Sequence, residues 1–201
     1  MAKTGLPQTK LTNVSLSARA LYHMAVAEPP ELDLDPPYQR GDVWTVEQQR
    51  NLIKSFISRI PIPAIILNDR NSARFRGFDD ELDTRYGVID GKQRIIAIVK
   101  WFSGELDVPA NWFTEDMLPP NLEVTDDTQI TYTQLSRPGQ MICATGFTIA
   151  VAEGRMTEMS QEAEVFSLVN RAGTPMTTAD LERAYRIQHA ESPSAEYLDL
   201  S

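Results

Sequence analysis

The sequence predicts an α+β fold, with a small mixed sheet packed by helices. Strand-like and helix-like segments interleave along the chain, but their spacing is too uneven for a doubly wound parallel sheet. Two β-branched runs stand out, AIILN at residues 64–68, which reads as a buried strand, and YGVID at 86–90. Each is bordered by an apolar stripe of helical period: Ile53, Phe56, Ile57 and Ile60 before the first, and Ile95, Ile98, Val99 and Phe102 after the second.

In chain order, residues 1–30 read as a polar arm and an amphipathic helix, with Val14, Ala18, Leu21 and Ala25 at helical spacing before EPP ends it. ELDLD alternates like a short strand, and PPYQRGDVW follows as a loop. Thr45 and Gln48 form a capping box that opens the next helix, which the prolines of IPIP terminate. Residues 69–85 are polar and read as an inserted loop or hairpin between the two strands. The helix after Gly91 ends at Ser103 and Gly104. Residues 105–140, rich in Pro, Asp and Thr, show little periodicity, and MICATGFTIAVAEG reads as one or two buried strands. A third helix is expected from about Ser160 to Asn170. A fourth is expected from Thr177 or Thr178, with Leu181, Ala184, Tyr185 and Gln188 in a stripe, and residues 189–201 form a flexible tail.

Composition narrows the class. The chain has 201 residues, 42% of them apolar, which suits one core. It contains no long apolar span and its N-terminus has no signal-peptide layout, so a cytoplasmic protein is expected. One cysteine, Cys143, forms no internal disulfide and reads as a buried structural thiol, and His23 and His189 have no zinc-site spacing. A formal net charge of −9 argues against a surface that binds nucleic acid everywhere, leaving room for a local basic patch.

The chemistry-bearing residues cluster where YGVID meets the following helix, at Asp90, Gly91, Lys92, Gln93 and Arg94. Two readings fit. Asp90 and Gln93 can form a capping box across a turn that Gly91 permits. The same turn can instead present free helical N–H groups, with Lys92 and Arg94 beside them, to a phosphate, while Asp90 holds a divalent cation. It is not a Walker loop: Gln93 stands where Ser or Thr would, and Tyr86 where the first glycine would. Three further stretches share the ambiguity. Gln39, Arg40 and Asp42 lie in a proline-started loop between Tyr38 and Trp44. Asn170, Arg171 and Thr174 lie in VNRAGTPMT, which also suits a plain helix C-terminus. Arg74 and Arg76 alternate with Phe75 and Phe78, a mixture able to stack on and neutralise nucleic acid, or to form a solvated loop.

Taken together, PPYQRGDVW, PIPAIIL, VIDGKQRI and FSLVNRAGTPMT resemble, in order and spacing, the N-terminal domain of GmrSD-type modification-dependent restriction enzymes, over about residues 31–185. That family's DGQQR motif is matched by Asp90, Gly91, Lys92, Gln93 and Arg94, with lysine in place of the usual glutamine. The family is similar to the ParB/sulfiredoxin fold, so the resemblance implies a nucleotide-binding, nucleotide-hydrolysing domain over residues 31–188, with C-terminal helices. Its cofactors would be a nucleoside triphosphate and Mg²⁺.

On that resemblance, Asp90, Gln93 and Asp42 are the expected catalytic groups and Asp90 the metal ligand. Gln39, Arg40, Gly91, Lys92, Arg94, Asn170, Arg171 and Thr174 are expected to line the nucleotide site. Any DNA contact is expected at Arg70, Arg74, Arg76 and Arg85. With 201 residues and two histidines an HNH nuclease centre is not expected, so cleavage would need a separate effector protein or a homo-oligomer. The leading expectation is a stand-alone NTP-binding domain and weak NTPase in a bacterial or phage restriction, anti-restriction or DNA-processing system. The alternatives are a DNA-binding or inhibitor module with a vestigial nucleotide site, and a phosphotransferase acting on a small molecule or modified base.

Overall fold

The computed structural model describes residues 10–39, 44–71, 75 and 84–172, with the backbone alone at 171 and 172. Strand β1 (Thr12–Ser17) runs directly into helix α1 (Ala18–Val26). Ser17 makes the change: its backbone is extended and its hydroxyl accepts from the Ala20 N–H at 3.0 Å, so the last strand residue is also the helix cap. Val14, expected on the helix, therefore lies in the strand, opposite Val151.

Then come β2 (Leu32–Asp33), α2 (Val46–Ile57), β3 (Ile65–Asp69), β4 (Tyr86–Asp90) and α3 (Lys92–Ser103). The Thr45–Gln48 capping box forms as expected, with the Gln48 N–H donating to Thr45 Oγ1 and the Thr45 N–H to Gln48 Oε1. Gly104 closes α3 at φ 78°, as the serine-glycine stop indicates. The stretch without sequence period holds β5 (Asp107–Pro109) and β6 (Gln129–Thr131), with short 3₁₀ turns around them. They are followed by α4 (Arg137–Gly146), β7 (Thr148–Gly154) and α5 (Met159–Ala172).

Helix α4 corrects the strand expected at its C-terminal half. Ser136 caps it by accepting from the Gly139 N–H at 3.1 Å, and Pro138 sits in its first turn, where its missing N–H costs nothing. A short apolar run such as MICA is compatible with either state by periodicity alone. Only FTIAVAEG supplies a strand.

The five-stranded sheet has the order β1-β7-β3-β4-β2 and is mixed. β1 lies antiparallel to β7, β7 parallel to β3, β3 antiparallel to β4, and β4 parallel to β2. The polar insertion is thus the connection of the β3–β4 hairpin. Helices α1, α2 and α3 cover the sheet, with Ile53, Ile65, Ile95, Ile98 and Trp101 fully buried among them. Trp101 stacks on Phe113 at 6.1 Å and meets Tyr132 edge-on, and Phe56 stacks on Phe147 at 5.0 Å. Packing divides the chain into a unit over Met1–Ser167 and another over Leu168–Ser201, and this architecture belongs to the first. Among the described residues no helix is long and apolar enough to cross a membrane. The expected fourth helix and the tail lie outside the described residues.

Cys143 faces this core, and its burial pushes the thiol up to about 12. A thiol reagent is expected to modify it only as fast as the chain unfolds. Because the folded value is raised, the stability contributed by keeping the proton is complete below the unfolded value of about 8.5 and is lost as pH rises toward the folded one. The stability difference between wild type and Cys143→Ala, measured by denaturant titration, should shift against wild type above about pH 9.

Candidate functional site

The polar turn is shaped by a bulge at the end of β4. Ile66 pairs with Asp90 and Leu67 with Val88, so the register passes over Ile89. An extra residue of this kind sharpens the local bend and re-aims the side chain that follows it. Asp90 is still a strand residue, which leaves Gly91 alone to turn the chain into α3. It does so at φ 101°, in the left-handed region, and a Cβ there would lie 2.7 Å from Ile65 Cγ1.

This geometry overturns the capping box expected from Asp90 and Gln93. Gly91 is the N-cap, and no side chain among the described residues accepts from the first turn. The first helical hydrogen bond runs from the Ile95 N–H to the Gly91 carbonyl at 3.0 Å, so the N–H groups of Lys92, Gln93 and Arg94 precede it. Asp90 Oδ2 accepts from Arg94 Nη2 at 2.5 Å instead, and Arg94 Nη2 also reaches the Ala64 carbonyl at 3.2 Å. Arg94 Nε is buried and has no hydrogen-bond partner among the described residues.

The loop stretch is brought to this turn at both of its described ends. On one side Lys92 Nζ contacts the exposed Asp35 carboxylate. On the other, the Trp44 N–H donates to Gln93 Oε1 at 3.2 Å, and the Trp44 carbonyl accepts from Gln49 Nε2, a buried amide on α2, also at 3.2 Å. Gln39 folds back through its N–H to the Pro36 carbonyl, and its Oε1 is buried without a partner among the described residues. Arg40 and Asp42 lie outside the described residues, between these anchors.

Beneath the loop sits a buried polar cluster. Arg70, just past β3, donates from Nε and Nη2 to the two carboxylate oxygens of Glu162 at 2.9 and 2.7 Å, and from Nη1 to Asp33 Oδ2 at 2.8 Å. Its side chain is 3% exposed and that of Glu162 0%. Asn68 Nδ2 reaches Glu162 Oε1 at 2.7 Å, while Asn68 Oδ1 accepts from the Met156 N–H. Tyr38 donates its hydroxyl to Glu162 Oε2 at 3.0 Å and packs on Phe166. Gly87 leaves the room: a Cβ there would lie 2.6 Å from Arg70 Nη2. Burial, followed by the neighbouring Glu162 charge, pushes the Tyr38 hydroxyl far above its usual range, so it remains a donor. Burial works to lower the Arg70 value, but the bonds to Glu162 and Asp33 outweigh it and raise it.

Arg70 was expected to be a nucleic-acid contact. The structure buries it and commits its guanidinium to two carboxylates, which leaves nothing to offer a phosphate. Arg85 is half exposed, 3.9 Å from Asp69, with its guanidinium over the Tyr86 ring. Arg74, Arg76 and Thr174 lie outside the described residues. Asn170 and the backbone of Arg171 lie in the last turn of α5, which ends at Ala172 within the expected NRAG stop, in the second unit. Among the described residues no group of three or more His, Cys, Asp or Glu side chains converges as for a metal.

Sequence reasoning missed Glu162, Asn68, Tyr38 and Asp35. One signal was available: Glu162 falls between Met159 and Phe166 on a helical stripe, an acid among apolar positions.

A mixed sheet carrying a glycine-hinged polar turn between a buried strand and a helix defines the class as a small α+β domain. Sequence comparison makes it specific. The family described as GmrSD restriction endonuclease, N-terminal domain, matches residues 27–187, and the chain belongs to that family, which places it in the context of restriction systems. No curated protein matches it.

Removing one member of the buried pair strands the other. Glu162→Leu and Arg70→Met are each expected to cost about 3–5 kcal/mol in urea unfolding, whereas the double variant should be less destabilised than the sum of the two. Additive losses would refute a coupled pair.

Proposed function

We propose that this chain is a cytoplasmic nucleoside-triphosphate-binding domain with weak Mg²⁺-dependent hydrolysis. It would serve a bacterial or phage restriction, anti-restriction or DNA-processing system in which a separate effector makes any cut. One observation carries the reading: α3 begins on a left-handed glycine, no side chain among the described residues accepts from its first amides, and Lys92 and Arg94 stand in that first turn. Such a turn is suited to an anion. Arg94 Nε and Gln39 Oε1, which have no partner among the described residues, are in keeping with a ligand that completes the site.

In this reading Lys92 and the first-turn amides bind phosphate oxygens, and Arg94 orients Asp90 through its 2.5 Å bond to Oδ2. The remaining Asp90 oxygen is available to Mg²⁺, which when bound neutralises the phosphate charge. Gln93 spends its carbonyl on Trp44 and keeps its NH₂ for a phosphate oxygen or a water. The contact of Lys92 with Asp35 favours a second reading, a DNA-binding or inhibitor module with a vestigial nucleotide site, because that lysine already has a counter-charge.

Calorimetric titration with non-hydrolysable analogues of ATP, GTP, CTP and UTP in Mg²⁺, alongside a phosphate-release assay, separates the two. Lys92→Gln should weaken binding by about 10-fold to 100-fold, the value of a charge-assisted contact, without lowering turnover per bound nucleotide. Asp35→Asn should tighten binding by up to about fivefold, since an exposed ion pair is worth about 1 kcal/mol or less. If wild type binds none of the four, the nucleotide reading fails and the vestigial one stands.

A further inference from the structure

A second basic feature shares no residue with the strand-to-helix turn. Between α1 and α4 lies a cleft of about 690 Å³, lined by Arg19, His23 and Arg137 among others and by no carboxylate. That is unexpected in a chain of net charge −9.

Arg19 is exposed, yet its guanidinium is oriented by two hydrogen bonds. Its Nη1 donates to the Tyr132 hydroxyl at 3.0 Å, and its Nε to His23 Nε2 at 3.3 Å. Tyr132 is buried, and its hydroxyl spends its own proton on the Gln140 carbonyl at 3.4 Å, so toward Arg19 it acts only as an acceptor. Burial raises the Tyr132 value, against the opposing Arg19 charge, and keeps that proton on. Neither acceptor of Arg19 is charged in this arrangement, so its guanidinium is oriented without being neutralised. Arg137, in the first turn of α4, is exposed and pairs with no carboxylate among the described residues. Two arginines line one cleft without a carboxylate partner among the described residues, and a bound anion would supply the counter-charge. The planar guanidinium fork matches a phosphate in particular.

We propose that the α1–α4 cleft is a phosphate-binding site in which Arg19 and Arg137 make the charged contacts. Its ligand is a phosphate group of a nucleic-acid backbone or of a free nucleotide. An open cleft with exposed arginines is the form that a site tracking a polyanion takes. It offers the nucleic-acid contact that buried Arg70 does not.

The test uses the full chain and the variants Arg137→Gln, Arg19→Gln and their double. Arg137 makes no bond within the described protein, so its variant should melt as wild type does, and it keeps the test decisive if Arg19→Gln unfolds. Binding of a short labelled DNA duplex is measured by anisotropy across a salt series, and binding of a non-hydrolysable triphosphate by calorimetry. The double variant is expected to weaken duplex binding at least about tenfold and to lower the slope of log Kd against log salt by about 2, near 0.9 per lost contact. Arg137→Gln should give about half that slope change. A loss confined to the triphosphate would assign the site to a free nucleotide. Unchanged binding of both probes, or no binding of either by wild type, would overturn the site. Lys92→Gln should leave the duplex isotherm unchanged, so failure at the turn and failure at the cleft are read from different variants.

Discussion

The buried pairing of Arg70 with Glu162 is the constraint around which one end of the fold is arranged. Moving either charge out of water costs several kcal/mol, and the mutual attraction repays that only if the remaining donors and acceptors are also satisfied. The surroundings meet this condition atom by atom. Both Glu162 oxygens accept from Arg70, and each takes a further bond, from Asn68 or from Tyr38. The third nitrogen of Arg70 goes to Asp33. Gly87 carries no side chain because the guanidinium occupies that space. One ion pair thus dictates residue types on β2, β3, β4, α5 and the segment before α2.

The same pair bears on the candidate site. Tyr38 is at once a member of the buried cluster and the start of the proline loop, while the loop's return is fixed at Trp44 by Gln93 and Gln49. Both described flanks of this stretch are therefore anchored on parts of the protein that are buried or helical. The turn itself is fixed from below by Ile65, which leaves Gly91 no room for a side chain. Loops positioned by a rigid scaffold in this way are where binding residues commonly reside.

Elements with a local physical signal were legible in the sequence. The Thr45–Gln48 box, the Gly104 stop and the β-branched runs each depend on a few adjacent residues, and all are present. The misread elements turn on which of two local states tertiary packing selects. Val14 matched a helical stripe by spacing, yet its segment is drawn into the sheet by pairing with β7, and the MICA run is helical because Ser136 caps it from outside the run. At the site, composition alone pointed to the residues from Asp90 to Arg94. Their partners were not legible, because Asp35, Ala64 and Trp44 are distant in sequence and their proximity is a product of the fold. Arg70 was misassigned for the same reason: an arginine after a buried strand reads as exposed unless its distant carboxylates are known.

Lys92 illustrates how the turn accommodates a charge. A cation at this position stands beside the amide ends of α3 and close to Arg94, an unfavourable place for an uncompensated ammonium. Asp35 supplies the compensation, but from a side chain 86% exposed, whereas Lys92 is 16% exposed. The lysine is thus held on the protein while its counter-ion stays in water, where the pair is worth little. Under the proposed function, an anion bound at the turn would replace Asp35 at small cost, because that carboxylate is already solvated. Arg94 is the contrasting case, with its bond to Asp90 short, mostly shielded and within one helical turn. Of the two cations that flank Gln93, Arg94 is held in a shielded pair and Lys92 in a pair whose carboxylate is open to water.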